Sequence, residues 1–176
     1  FTGGSTPSAT DTMSFITIAT TGNATDFGNL SVANYSLSSA ADSTRGVVAG
    51  GFSDSATSSK IEYTTISSSG GTSDFGDLRV GFQYGGGCNS PTLAVFGGGW
   101  ADTVTDVNGD KNSNVLQFIT IQTTGDSTEF GGLTQRRQTD QALSNETRGC
   151  FIGGAHYSSY PVSYTHLRAH ETDSYL

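Results

Sequence analysis

Basic residues are scarce in this chain: 8 Lys and Arg stand against 16 Asp and Glu in 176 residues, a net charge of −8. Holding a nucleic-acid backbone takes clustered Lys and Arg, so no nucleic-acid partner is expected. No apolar run approaches the ~18 residues of a membrane-spanning helix, and no basic and apolar leader follows Phe1, so neither a membrane partner nor a signal peptide is expected. Cysteine is limited to Cys88 and Cys150, without metal-ligand spacing around either; two partly buried free thiols are expected. Before residue 161 the only histidine is His156. There is no nucleophile elbow and no Cys paired with an internal His, so the sequence offers no nucleophilic catalytic set.

What the chain has is glycine and repetition. Its 24 Gly beside 34% hydrophobic residues suit a turn-rich all-β protein. The stretch Ile61–Leu78, IEYTTISSSGGTSDFGDL, recurs from Phe15 to Leu30 and from Leu116 to Leu133. Aligned, the three copies put Phe15, Tyr63 and Phe118 in one column, Ile18, Ile66 and Ile121 in another, and Gly22, Gly70 and Gly125 in a third. Asp26, Asp74 and Glu129 precede an unvarying Phe-Gly at 27/28, 75/76 and 130/131. Short apolar runs end in glycine pairs at Gly3-Gly4, Gly50-Gly51, Gly97-Gly98 and Gly153-Gly154, 47, 47 and 56 positions apart. The Phe-Gly column is spaced by 48 and 55, so one insertion between Ala101 and Asn114 lengthens both. Self-similarity at this period marks a repeat architecture.

The expected strands are 13–19, 27–30, 47–49, 61–66, 81–88, 93–96 and 115–122, with residues 5–12 a polar loop. Phe27 and Leu30, three apart, cannot share a face without a bulge, which Gly28 would permit. About four short strands per unit resembles a β-propeller blade, and a period near ~50 resembles the kelch class. The residues carrying that resemblance are the apolar run into Gly-Gly, Ile61-Glu62-Tyr63 after it, and Phe-Gly-x-Leu where a kelch repeat has Trp followed by Leu. The only tryptophan, Trp100, lies in a loop instead. Ile16–Gly28, Thr44-Arg45-Gly46 and Thr147-Arg148-Gly149 are also similar to glycine-rich repeat proteins of tailed phages and environmental viruses. That resemblance implies a non-enzymatic, virion-associated or extracellular module binding a glycan, a protein or other virion proteins.

The expected organisation is kelch-like blades over 1–158, with whole blades near 33–78 and 81–133 and partial ones near 1–30 and 138–154. Residues 159–176 fall outside the repeat, and PVSYTHLRAHETDSYL resembles a translated sequencing adapter. Three blades' worth cannot close a ring of the 4 to 8 that propellers use, so missing blades or an oligomer are expected.

Four residues are candidate ligand contacts: Trp100 just before the inserted loop and Asp102 in it, and Arg45 and Arg148 before the apolar runs. The arginines read either as a binding ring or as inter-strand hydrogen bonders, and the second is preferred. Asp106, Asn108, Asp110 and Asn112 resemble the start of an EF-hand-like calcium loop. Its twelfth position would be Gln117, which supplies no bidentate carboxylate, so a polar turn is favoured over Ca²⁺ and no cofactor is expected. His166 and His170 with Glu171 could form a helical metal pair but supply too few ligands for a structural zinc site. The once-per-unit Asp26, Asp74 and Glu129 read as turn residues. The competing reading is an extracellular enzyme, or an accessory domain of one, on a galactose-oxidase-like propeller without its copper site; no His or carboxylate cluster speaks for it.

Overall fold

In a computed structural model, residues 1–53, 55–104, 109–139 and 141–156 are described. The expected tail 159–176 and its histidines lie outside the described residues. Alternation of small and β-branched residues between glycine-rich turns makes strands throughout, and no helix occurs among the described residues. The chain is all-β. In order the strands are β1 (Thr2–Ser5), β2 (Ala9–Phe15), β3 (Thr25–Asn34), β4 (Ser38–Ala41), β5 (Arg45–Ala49), β6 (Phe52–Ser53), β7 (Ala56–Thr57) and β8 (Lys60–Thr65). They continue with β9 (Ser73–Asp77), β10 (Gly86–Asn89), β11 (Leu93–Gly97), β12 (Val115–Thr120), β13 (Thr128–Gly132), β14 (Gln141–Ser144) and β15 (Gly149–Ile152).

Two four-stranded antiparallel sheets, β4-β5-β8-β9 and β10-β11-β12-β13, run in sequence order, with three-stranded β1-β2-β3 before them and two-stranded β14-β15 after. The sheets meet along their first strands. Ser38 Oγ donates to Gly85 O at 2.7 Å, and the Asn89 amide donates to Ser144 Oγ at 3.1 Å. One core runs through both four-stranded sheets, built on Val47, Ala49, Ile61, Phe75, Phe82 and Phe96 with Ile119 and Ile121. In β8 the consecutive Ile61 and Glu62 are both buried, as a strand covered on both faces requires.

The Phe-Gly column is a bulge repeated three times. Ladder pairing skips one residue, so Phe27, Phe75 and Phe130 each stand as the extra residue opposite β2, β8 and β12. Each ring then meets the aromatic of the neighbouring column edge to face, with centroids 5.9 Å apart for Phe15–Phe27, 6.0 Å for Tyr63–Phe75 and 6.0 Å for Phe118–Phe130.

Three expectations are corrected. The third glycine pair is Gly98-Gly99, with φ of 70° and 86° like Gly50 and Gly51 at 72° and 92°, while Gly97 belongs to β11. Three glycines in a row hide that register, and hydrogen bonding decides it: the Gly99 amide reaches Arg137 O at 2.9 Å as that of Gly51 reaches Phe82 O at 2.7 Å. Gly50 to Gly98 and Gly98 to Gly153 are then 48 and 55 positions, the same as the Phe-Gly column. Residues 5–12 are not a loop, because β1 and β2 extend into a hairpin there. The expected strand 13–19 ends at Phe15, leaving Ile18 93% exposed, since no strand covers β2 on its β1 side beyond Ser14 among the described residues.

Candidate functional site

Antiparallel strands put turns at two ends of each sheet, and the candidate contacts divide between them. At the first end lie the tight turns 42–44, 90–92 and 145–148, three, three and four residues long. Asp42 Oδ1 accepts from the amides of Thr44 and Arg45, each at 2.8 Å, and Asn145 Oδ1 does the same for Thr147 at 3.0 Å and Arg148 at 2.8 Å. These are side-chain-capped turns. The Arg45 guanidinium lies 4.2 Å from the Tyr63 ring centroid and donates to Ile121 O at 2.9 Å, tying one sheet to the next. Gln122 Nε2 donates to Asp42 Oδ2 at 2.5 Å, and chiefly this bond holds the carboxyl down to about 2. A cleft of about 450 Å³ opens between the three turns, lined by Asp42, Ser90, Asn145 and Glu146.

At the opposite end the chain leaves β5 and β11 through the positive-φ glycine pairs. A Cβ on Gly51 would stand 2.7 Å from Tyr35 O and one on Gly99 2.5 Å from Gln83 O, so only glycine lets the loop root this close to the next linker. The residue after each pair is thereby fixed. Phe52, Trp100 and Ala155 bridge to Tyr35, Gln83 and Gln138, and the Tyr35 and Phe52 rings stand 5.5 Å apart. Trp100 exchanges backbone hydrogen bonds with Gln83 at 2.7 and 2.9 Å and is braced on its other side by Asn112.

Around this half-buried indole sit groups of both charges. Lys111 Nζ is 5.9 Å from the ring centroid and 3.0 Å from Asp102 Oδ1. The Thr57 amide donates to Asp102 Oδ2 at 3.2 Å, linking the loop of one sheet to that of the next. Lys111 first, then Thr57, lowers the Asp102 carboxyl below its ordinary range. Tyr84, next to Gln83, is 38% exposed and held at φ 56°. Sequence reasoning missed Lys111 and Tyr84; the adjacency of Tyr84 to a glycine run was the available signal.

The structure therefore brings Trp100 and Asp102 together and sets Arg45 and Arg148 at the far end. Of the calcium-loop candidates, Asp106 and Asn108 lie outside the described residues. Buried Asp110 uses Oδ1 to accept from the amide and the Nδ2 of Asn112 at 2.8 and 2.7 Å, while its Oδ2 is 2.8 Å from His156 Nε2. That is the hydrogen-bonding pattern of an Asx turn. No group of three or more His, Cys, Asp and Glu side chains converges among the described residues.

The recurring carboxylates are dispersed. Glu129 pairs with Arg79 at 3.1 Å on the surface, and Asp26 and Asp74 are exposed in β3 and β9. Also missed was the polar column Ser14, Glu62, Gln117. Glu62 Oε1 accepts from Ser31 N at 3.1 Å and Thr72 Oγ1 at 3.0 Å, and Gln117 clasps the Val80 amide and carbonyl at 3.2 and 2.8 Å. Both are buried between sheets, so this column joins units. Comparison with protein-family models and with curated proteins finds no match for the chain. No helix of the described residues is long and apolar enough to cross a membrane.

Proposed function

We propose that this chain is a non-enzymatic recognition module on a kelch-like β-propeller scaffold, working in a virion or outside cells, and that it binds glycan at the Trp100 end. Consecutive four-stranded antiparallel sheets that abut through their first strands support the propeller reading.

One observation carries the functional reading: the large length difference between the two whole units falls at one end. The turns before β5 and β11 are three residues each, and those after β8 and β12 seven each, whereas the connection from β5 to β8 is 10 residues and that from β11 to β12 is 17. A constant frame whose main insertion sits on one rim is how loops carry recognition. The longer connection sets a carboxylate, Asp102, and an ammonium, Lys111, beside the half-buried indole of Trp100 at its root. A sugar ring has the matching chemistry, an apolar face for the indole and hydroxyls for the charged groups.

Glycan-array binding by the purified chain tests this. Binding of a defined glycan class, lost in Trp100→Ala with unchanged far-UV circular dichroism, is the expected result. An array without hits, or hits indifferent to Trp100→Ala and Asp102→Ala, overturns it, and capture of a protein ligand at the same loops would replace it.

A further inference from the structure

The contacts that join neighbouring units occur twice, and among the described residues half of each is left over in the first and last sheets. Gly70 N donates to Phe27 O at 2.6 Å and Gly125 N to Phe75 O at 2.8 Å. Gly28 and Gly76 have φ of 144° and 147°, and a Cβ on either would collide with the docked glycine backbone at 2.2 and 2.5 Å. Gly131 has the same φ of 147° with nothing within 4 Å, and Phe130 is 56% exposed where Phe75 is 3%. Gly22, at the place of Gly70 and Gly125, donates no such backbone bond among the described residues.

The sheet edges match in the same way. β5 and β11 pair on both sides, while β15 pairs only with β14 among the described residues. β2 has an open edge beyond Ser14, where β8 pairs with β5 through Tyr63, Thr64 and Thr65. Beside β4, where β10 abuts on the other side, lies a cleft of about 400 Å³ lined by Phe1, Thr2, Met13 and Ala40. β14 carries Leu143, 62% exposed, and β15 carries Ile152, 48% exposed, in the column of fully buried Ala49.

We infer that copies of this chain join head to tail by completing one sheet across two molecules: β14 and β15 of one copy with β2 and β3 of the next. β14 then fills the cleft beside β4, β15 extends the open edge of β2, and the Gly22 turn lands on Phe130 and Gly131. Phe1 to Gly4, which stand at the places of Phe151 to Gly154, have to move aside. The joint is heterologous, so it gives a closed ring if the rotation per unit allows and a longer assembly otherwise. It rests on the unit-to-unit packing alone and is independent of the ligand proposed above.

The register supplies the test. Val47 pairs with Tyr63, which places Cys150 of one copy opposite Phe15 of the next. Sedimentation of the full chain from micromolar to submillimolar concentration should show a reversible rise in mass above the 18.2 kDa monomer. Ile152→Lys, which leaves a surface position charged in the monomer, should weaken association at least about tenfold by setting an ammonium in the joint. Under mild oxidation Phe15→Cys should form an intermolecular disulfide through Cys150, and Thr20→Cys, outside the register, should not. A chain monomeric throughout, association indifferent to Ile152→Lys, or equal cross-linking by both cysteine variants would overturn the inference.

Discussion

The backbone amide of Gly125 donates to the carbonyl of Phe75 across 2.8 Å, and between those two residues the chain passes from one four-stranded sheet to the next. That bond lies beside Gly76, whose absent side chain allows the approach. Neighbouring units are thus joined by backbone at the outer strand, by buried Glu62 and Gln117 within it, and by Ser38 and Ser144 at the first strands.

Gly76 and Gly131 separate backbone strain from close approach. Both have φ of 147°, but only at Gly76 would a Cβ meet another backbone, 2.5 Å away. Ala at either position should cost about 1–3 kcal/mol for the strained conformation. Gly76→Ala should cost at least ~1 kcal/mol more than Gly131→Ala, read as a lower urea midpoint in dilute solution.

Gln117 is 1% exposed and satisfies both backbone groups of Val80 as well as the Ser127 hydroxyl, at 2.9 Å. Gln117→Ala removes these partners and leaves a cavity, so a loss of about 2–4 kcal/mol is expected in equilibrium unfolding. Gln117→Glu puts a carboxylate against the Val80 carbonyl and should be destabilising near neutrality, with stability recovering as the solution is acidified.

Asp42 makes stability fall with acid. Its carboxyl is held at about 2 in the folded chain against about 3.9 when unfolded. The stabilisation is complete above the unfolded value and drains away as pH drops from about 4 toward about 2. Asp42→Asn, the residue type that caps the corresponding turn at Asn145, should flatten this part of the stability–pH curve.

The thiols should react at different rates. Cys150 is exposed, whereas Cys88 is buried, and burial first and Cys150 second raise its pKa. Iodoacetamide at mildly alkaline pH should label Cys150 first in dilute solution, with Cys88 modified only as the fold opens. Mass spectrometry of the labelled peptides reads the order directly.

How much of this was legible in the chain differs by level. The all-β class, the number of strands per unit and the site of the insertion follow from recurrence, because each copy of a motif solves the same local problem of turn, bulge and aromatic pair. The bulge at Phe-Gly was foreseeable for that reason: Phe27 and Leu30 are three apart, and Gly28 is the residue that tolerates the kink. The glycine register was not, since Gly97, Gly98 and Gly99 are interchangeable as letters and differ only in which amide reaches a neighbour's carbonyl.

For the candidate site the division is sharper. That Arg45 and Trp100 lie at opposite ends follows from the columns, since Arg45 opens β5 and Trp100 follows β11, its equivalent. Lys111 and Gln83 meet Trp100 only because turns bring residues apart in sequence to one rim. The burial of Glu62 and Gln117 likewise depends on the next sheet being present to supply Thr72, Ser31, Val80 and Ser127. The amino-acid order alone determined what each unit is; the packing of unit on unit decided which of its polar residues face water and which join the repeats, because burial is a property of the neighbour and not of the residue.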